Sequence, residues 1–182
     1  MEKRTIVLQG GEDVKQRTNE MLFRGTVQLS KKRAVLVIPW TTDSEEKEKE
    51  YIEILRDYFT AVGFREIIFL KKQFSDGEIE QSFSKADVLY LPGGNTQILY
   101  AEIARRSIQE RIGKFKGTII GNSAGAIVLS KGTVDDGGFQ PGFGIVDFYV
   151  TVHFKMETSY RIDRTMFPMI NIPEGAWVAV YC

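Results

Sequence analysis

Residues 117–129 read GTIIGNSAGAIVL, and this stretch has the pattern of a strand, a tight turn and a helix in succession. An apolar run leads through a tight turn, in which Gly121 and Gly125 flank Ser123, into a segment of helical composition. Such a turn leaves no room for side chains at its flanking positions, and it projects the serine hydroxyl at the top of a sheet. Ser123 is therefore a candidate nucleophile; the alternative is a glycine-rich turn that binds phosphate or packs closely.

Similar short apolar runs recur along the chain and alternate with longer segments of helical periodicity. The runs lie at residues 5–9, 33–40, 66–70, 87–91 and 117–121. They lack polar alternation, which is typical of strands covered on both faces. Helical segments separate the second to fifth runs. This order predicts an α/β, three-layer sandwich with a mostly parallel sheet and helices on both faces.

Length and charge limit the classes of partner. The chain has 182 residues, which fit a single domain over 1–182, and 24 basic residues balance 24 acidic ones. A balanced charge argues against a nucleic-acid partner. No apolar run approaches the roughly 18 residues of a membrane span, so we expect no membrane association. Cys182 is the only cysteine, which favours the reducing cytoplasm. Enzymes of this size are often homodimers, and the sequence leaves that assembly open.

Glycine-bearing turns follow the first, fourth and fifth predicted strands. Ligand sites of open α/β sheets lie beyond the carboxyl ends of the strands, where these turns fall. An oxyanion hole usually combines the N–H after the nucleophile, here Ala124, with one from a neighbouring loop, and Gly94 is well placed to supply it. The next residue, Asn95, is either a substrate ligand or the N-cap of the following helix.

His153 is the only histidine in the chain. A serine nucleophile needs a base, so a Ser-His mechanism would use this residue. It lies in DFYVTVHF, where strand alternation places Val150 and Val152 on one face and His153 on the other. The sequence thus predicts His153 on the polar face of a strand, near its end. The alternative is a surface or half-buried histidine with no part in chemistry.

A carboxylate that orients the imidazole would complete the site. The candidates are Asp135, Asp136, Glu157, Asp163 and Glu174. Chain order does not choose among them, because such triads occur in several orders on unrelated folds. Glu174 lies at a turn before the strand-like AWVAV, where a rigid element could hold it. Asp135 and Asp136 lie in a glycine-rich loop, which is typical of a solvated acidic turn.

Four motifs occur together in one order along the chain. They are YLPGGNTQIL at 90–99, GNSAGAIVLS at 121–130, VHF with YRIDR behind it at 152–164, and IPEGAWVAV at 172–180. This set resembles the serine peptidase family of dipeptidase E (aspartyl dipeptidase) and cyanophycinase. The resemblance covers the chain from the first strand to the end, and it implies a flavodoxin-type sandwich like that of the class I glutamine amidotransferases.

The resemblance also implies roles for individual residues. Ser123 would be the nucleophile and His153 the base. Gly94 and Ala124 would donate to the oxyanion. Glu174 is favoured as the acid, because its flanking IPEG pattern aligns better than the acidic loop at 135–136. No metal or organic cofactor is expected, which agrees with the lack of clustered His and Cys in the sequence.

The dipeptidase branch of that family cleaves dipeptides with an N-terminal aspartate, so its pocket must neutralise a carboxylate. Arg161 and Arg164 lie three apart on a predicted helix and are candidates for this task, with a solvated helix face as the alternative. Two features depart from the family: residues 13–24 match no signature, and the chain stops soon after the strand that follows Glu174. The alternative functions are a non-catalytic binder of a small metabolite and an amidase or esterase acting on a non-peptide substrate.

Overall fold

The computed structural model describes residues 4–135, 138–155 and 168–181, with only the backbone of Asp135. In chain order the elements are β1 (Thr5–Gln9), α1 (Glu20–Leu29), β2 (Ala34–Val37), α2 (Glu45–Val62), β3 (Glu66–Phe69), α3 (Asp76–Lys85), β4 (Val88–Leu91), α4 (Thr96–Arg105), α5 (Gln109–Lys114), β5 (Thr118–Asn122), α6 (Ala124–Leu129), β6 (Gly132–Asp135), β7 (Gly138–Pro141), β8 (Tyr149–Thr151), β9 (Met169–Asn171) and β10 (Trp177–Tyr181). The five strands that the sequence predicts are all present.

A six-stranded sheet organises the molecule, with strand order β10-β1-β5-β4-β2-β3. The strands β1 to β5 pair in parallel, and β10 pairs antiparallel to β1 at one edge. The strands β6 and β7 form a separate antiparallel pair, and β8 and β9 a separate parallel pair. The predicted α/β sandwich with a mostly parallel sheet is confirmed.

Helices cover both faces of the sheet because successive strand residues point to opposite sides. On one face, α1 and α2 pack over an aromatic cluster of Phe23, Tyr58, Phe59 and Tyr90, with the Phe59 and Tyr90 ring centroids 5.1 Å apart. On the other face, α3, α4, α5 and α6 contribute to a larger hydrophobic core that is mostly aliphatic and includes Trp40, Phe83 and Phe115. Burial on both faces explains why the predicted strands lack polar alternation.

Three local features differ from the sequence predictions. The helical segment after β4 is two helices, because Ser107 adopts a φ of 51° between α4 and α5, where a helix ends. The helix α1 occupies part of the stretch that the sequence left unassigned, and its Phe23 and Val27 are buried at helical spacing. The predicted strand through His153 ends at Thr151, since His153 itself has a φ of 50°.

Candidate active site

Ser123 lies between the last residue of β5 and the first residue of α6, in a strained backbone conformation with φ 48° and ψ −104°. A Cβ added at Gly121 would lie 2.6 Å from the Gly125 backbone, and one added at Gly125 would collide with the Leu91 carbonyl oxygen. The Ser123 N–H donates to the Gln9 carbonyl at 3.0 Å, which ties the turn to β1. The two glycines are therefore required by close backbone packing, and the turn has the geometry that exposes a nucleophile.

His153 follows β8 in a short loop, and its imidazole reaches back to the serine. The Nε2 atom lies 2.7 Å from Ser123 Oγ. The backbone N–H of His153 donates to the Gly10 carbonyl at 2.7 Å, so the turn after β1 fixes the position of this loop. About half of the His153 side chain is exposed, at 52%. The alternation of apolar and polar residues predicted that His153 lies within a strand. In the structure His153 lies in the loop after β8, and from there its ring contacts Ser123.

Glu174 lies in the turn between β9 and β10, and its Oε2 accepts from His153 Nδ1. When Nδ1 carries the ring proton and donates it to the carboxylate, Nε2 is unprotonated and accepts from the serine hydroxyl. The Gly175 N–H donates to the Gly11 carbonyl at 3.0 Å and anchors the turn. Ser123, His153 and Glu174 thus form one chain of hydrogen bonds from hydroxyl to imidazole to carboxylate.

Gly10 and Gly11 hold this chain together, which the sequence did not reveal. A Cβ added at Gly11 would collide with both the His153 ring and the Glu174 carboxylate. One added at Gly10 would collide with the carbonyl oxygens of residues 172 and 173. The sequence shows the double glycine after the first strand. It does not show which residues pack against these glycines, because those residues lie more than 140 positions further along the chain.

Two backbone N–H groups beside Ser123 are available as donors. Neither Gly94 nor Ala124 donates its N–H to a partner among the described residues. Gly94 has a φ of 133°, and a Cβ there would lie 2.7 Å from the Thr41 side chain. Glycine is therefore needed for both the backbone conformation and the close packing against Thr41. These are the two N–H groups that the sequence predicts for an oxyanion hole.

The other predicted site residues lie elsewhere or are not described. Asn95 caps α4, since its side chain accepts from the Ile98 N–H at 3.0 Å, and it is absent from the described lining of the cavity below. Asp135 is the last residue of β6, where only its backbone is described. The remaining candidates lie outside the described residues; they are Asp136, Glu157, Arg161, Asp163, Arg164 and Cys182.

A cavity of about 680 Å³ opens in front of Ser123 and His153. Its size is within the usual range for small-ligand sites. Four carboxyl groups and two lysines line its described wall; they are Glu12, Asp13, Glu50, Glu174, Lys15 and Lys47. Lys15 lies 3.5 Å from Glu50, so one of the two lysines already faces an acidic neighbour. The site is large enough for a short peptide and carries charges of both signs.

Glu12 is the most buried charged group in this wall and was not singled out from the sequence. Burial raises the pKa of its carboxyl group, while hydrogen bonds from the Tyr58 hydroxyl, the Asn19 N–H and the Gln9 side chain oppose that rise. The pKa of the Tyr58 hydroxyl is also raised well above its ordinary value, first by burial and then by its bond to Glu12. Tyr58 is therefore a proton donor to Glu12 throughout the neutral pH range.

Within residues 4–135, 138–155 and 168–181, no three His, Cys, Asp or Glu side chains are grouped as metal ligands. The helices of these ranges include none with the length and apolarity to cross a membrane.

Comparison with known proteins identifies the family. The family model for peptidase family S51 matches residues 6–180. The chain belongs to peptidase family S51. The resemblance to dipeptidase E that the four motifs carry is thereby confirmed, and this S51 chain is a serine peptidase, a hydrolase. A comparison with curated protein sequences found no match.

Solved structures with the same fold are also peptidases by description. The crystal structure of a peptidase from an acI-B1 Actinobacterium is 18% identical, with a TM-score of 0.73, covering 97% of this chain and 82% of that one. A candidate peptidase E protein from Listeria monocytogenes EGD-e is 20% identical, with a TM-score of 0.71, covering 98% of this chain and 95% of the other. At these identities the likeness establishes the fold of the S51 chain and no more.

Proposed function

We propose that this S51 peptidase is a serine exopeptidase that hydrolyses short peptides through an acyl-enzyme on Ser123. The observation that carries the proposal is the 2.7 Å contact between Ser123 Oγ and His153 Nε2, with Glu174 on the opposite nitrogen of the same ring. A nucleophile in contact with a base that is itself oriented by a third group is the arrangement that activates a hydroxyl.

The reaction follows from these positions. Ser123 Oγ attacks the scissile carbonyl carbon as His153 Nε2 takes the hydroxyl proton, and Glu174 stabilises the resulting imidazolium. The N–H groups of Gly94 and Ala124 donate to the oxygen as it becomes negative. His153 then gives the proton to the leaving amine, and the C–N bond breaks. Water, deprotonated by His153, hydrolyses the ester and restores the serine.

Glu174 is the proposed acid, in preference to Asp135 and Asp136. Its bond to His153 Nδ1 supports this choice. The turn that carries it is fixed by backbone hydrogen bonds at two points, Gly175 N–H to Gly11 and Ala176 N–H to Pro173. A carboxylate held in this way orients the imidazole, which is the task of the third residue.

The proposed substrates are dipeptides with an N-terminal aspartate. Lys15 and Lys47 line the cavity and supply positive charge for the substrate carboxylate. We propose the same task for Arg161 and Arg164, on the strength of the family resemblance. We also expect the enzyme to act in the cytoplasm, because it has a single cysteine and thus no internal disulfide.

The test uses a fluorophosphonate probe and two dipeptides, Asp-Leu and Ala-Leu. We expect the wild type to be labelled at neutral pH and Ser123→Ala to be neither labelled nor active. Ser84→Ala is the matched control, since Ser84 is an exposed serine at the end of α3, and it should behave as wild type. Labelling that survives Ser123→Ala would overturn the proposed nucleophile. Equal kcat/KM for the two dipeptides would overturn the preference for aspartate.

A further inference from the structure

The carboxyl group of Glu12 is held rigidly in the wall of the cavity and is not used in the mechanism above. The Tyr58 hydroxyl donates to Oε1 at 2.5 Å and the Asn19 N–H donates to the same oxygen at 3.2 Å. The Gln9 side-chain amide donates to Oε2 at 3.3 Å. Three donors from β1, the following loop and α2 therefore fix the position of this one carboxylate.

These contacts leave part of the carboxylate free. An ionised carboxylate has about four lone-pair sites, and the three donors occupy two on Oε1 and one on Oε2. No lysine or arginine among the described residues forms an ion pair with Glu12, whereas Lys15, which lines the same cavity, pairs with Glu50. A partly buried carboxylate without a cation is unfavourable unless a cation reaches it from elsewhere.

The position of Glu12 lets a bound peptide supply that cation. Its neighbour Gly11 packs directly against His153 and Glu174, and consecutive Cα atoms are about 3.8 Å apart. Glu12 thus lines the same cavity as Ser123 and directly follows Gly11, the residue of the turn after β1 that packs against the His153 ring. A peptide whose carbonyl reaches Ser123 can place a nearby positive group against Oε2.

We propose that Glu12 binds a primary ammonium group of the peptide substrate, either its free N-terminus or a lysine side chain. This inference rests on the proposed peptidase function and names the chemical group by which the site recognises its substrate. The three donors preorganise the carboxylate, so little ordering is needed when the ammonium arrives. Recognition of a free N-terminus would also account for the proposed exopeptidase activity, because a residue within a longer chain has an amide in place of the N-terminal ammonium.

The experiment compares three substrates on the wild type and on Glu12→Gln. The substrates are Ala-Leu, N-acetyl-Ala-Leu and N-acetyl-Lys-Leu, which carry respectively an N-terminal ammonium, no ammonium and a side-chain ammonium. Glutamine retains the shape and one acceptor oxygen but removes the charge. Glu53→Gln is the matched control, since Glu53 lies on α2 as Tyr58 does and its one ion pair among the described residues is with Arg56 on the surface.

We expect the wild type to prefer an ammonium substrate over N-acetyl-Ala-Leu on the order of 10- to 100-fold in kcat/KM, the range for a charge-assisted hydrogen bond. Glu12→Gln should lose this preference, but fluorophosphonate should label it at a rate near that of the wild type. Glu53→Gln should keep both the substrate preference and the labelling rate of the wild type. A preference for Ala-Leu indicates the N-terminus as the ligand, and one for N-acetyl-Lys-Leu indicates the side chain.

Two results would overturn the inference. One is a wild type that turns over all three substrates equally. The other is a Glu12→Gln variant that keeps the wild-type preference, or that loses labelling and all three activities together, which would assign Glu12 to structure alone. Failure of the proposed function has a different signature, because the wild type itself would then not be labelled at Ser123.

Discussion

The two ends of the central sheet use the same kinds of side chain for different purposes. At the carboxyl ends, Ser123 and His153 have positive φ angles, and Glu174 directs its carboxylate to the imidazole. At the amino ends, Asp87 precedes β4, and its carboxylate accepts from the Ser30 hydroxyl at 2.7 Å and the Lys32 N–H at 2.8 Å. The Glu174 carboxylate contacts a side chain that lines the cavity, whereas the Asp87 carboxylate links the segment before β4 to the segment before β2.

The two ends of the sheet thus differ in what their hydrogen bonds support: stability at the amino ends and activity at the carboxyl ends. At the amino ends the hydrogen bonds close loops, so their loss should lower the free energy of unfolding. At the carboxyl ends the bonds join strained, half-exposed turns, as is common at functional sites. Their loss should lower activity and leave stability nearly unchanged. Four substitutions test this division.

The largest effect is expected for His153→Ala. Removing the proposed base should lower kcat on peptides by about 10⁴-fold or more, as in characterised Ser-His-Asp triads. The side chain is half exposed, so the urea midpoint should move little. Steady-state kinetics and urea unfolding of the same preparation provide the check. A variant that keeps a tenth of the wild-type kcat would remove His153 from the mechanism.

Glu174→Gln should have the next largest effect. The amide cannot stabilise the imidazolium as a carboxylate does, so we expect a loss in kcat on the order of 100- to 1,000-fold, below the roughly 10⁴-fold known for a buried acid. The smaller loss follows from exposure, since 59% of the Glu174 side chain is exposed and water can replace part of its effect. Peptide turnover near the wild-type value would contradict this role.

Gly11→Ala tests the turn that the sequence did not assign. Its new methyl group would displace His153 and Glu174, so kcat/KM should fall by roughly 10- to 100-fold, the effect of a displacement of about 1 Å. Gly25→Ala is the control, since Gly25 lies within α1 with nothing within 4 Å of an added Cβ. That variant should keep full activity and gain about 0.5–1 kcal/mol of stability. Unchanged activity in Gly11→Ala would show that the turn does not position the imidazole.

Asp87→Asn should affect stability alone. The amide loses an acceptor for the Lys32 N–H, and the free energy of unfolding should fall by about 1–3 kcal/mol, while activity per folded molecule stays at the wild-type value. Burial acts to raise the pKa of Asp87, but hydrogen bonds from Lys32, Ser30 and Ala34 outweigh burial and lower it.

The lowered pKa gives this prediction a pH dependence. Asp87 contributes stability above its unfolded pKa of about 3.9, and the contribution is lost as pH falls through the lower folded value. Wild type and Asp87→Asn should therefore be unfolded with urea at neutral pH and at a series of lower pH values. The difference between their free energies of unfolding should become smaller below about pH 4. A difference that stays constant across this range would contradict the assignment.

The sequence predicted the features that depend on residues close together along the chain. The strand, turn and helix around Ser123 are encoded by local glycines and apolar residues. His153 could be predicted as the base because the chain has no other histidine. Contacts between distant segments were not accessible in this way. The packing of Gly11 against two residues from the last third of the chain, and the burial of Glu12 under Tyr58, arise only when β1, α2 and the late turns meet. The roles proposed for these residues stay predictions.

Activation of Ser123 by His153 and Glu174 is measured most directly by the rate at which a fluorophosphonate labels Ser123 in four proteins: wild type, His153→Ala, Glu174→Gln and Asp135→Asn. This rate depends on activation of the hydroxyl and not on recognition of a peptide. We predict equal rates for wild type and Asp135→Asn, a rate slower by about 100-fold for Glu174→Gln, and the slowest rate for His153→Ala. A slow Asp135→Asn together with a fast Glu174→Gln would show that the hydrogen bond from His153 to Glu174 plays no part in activating the serine.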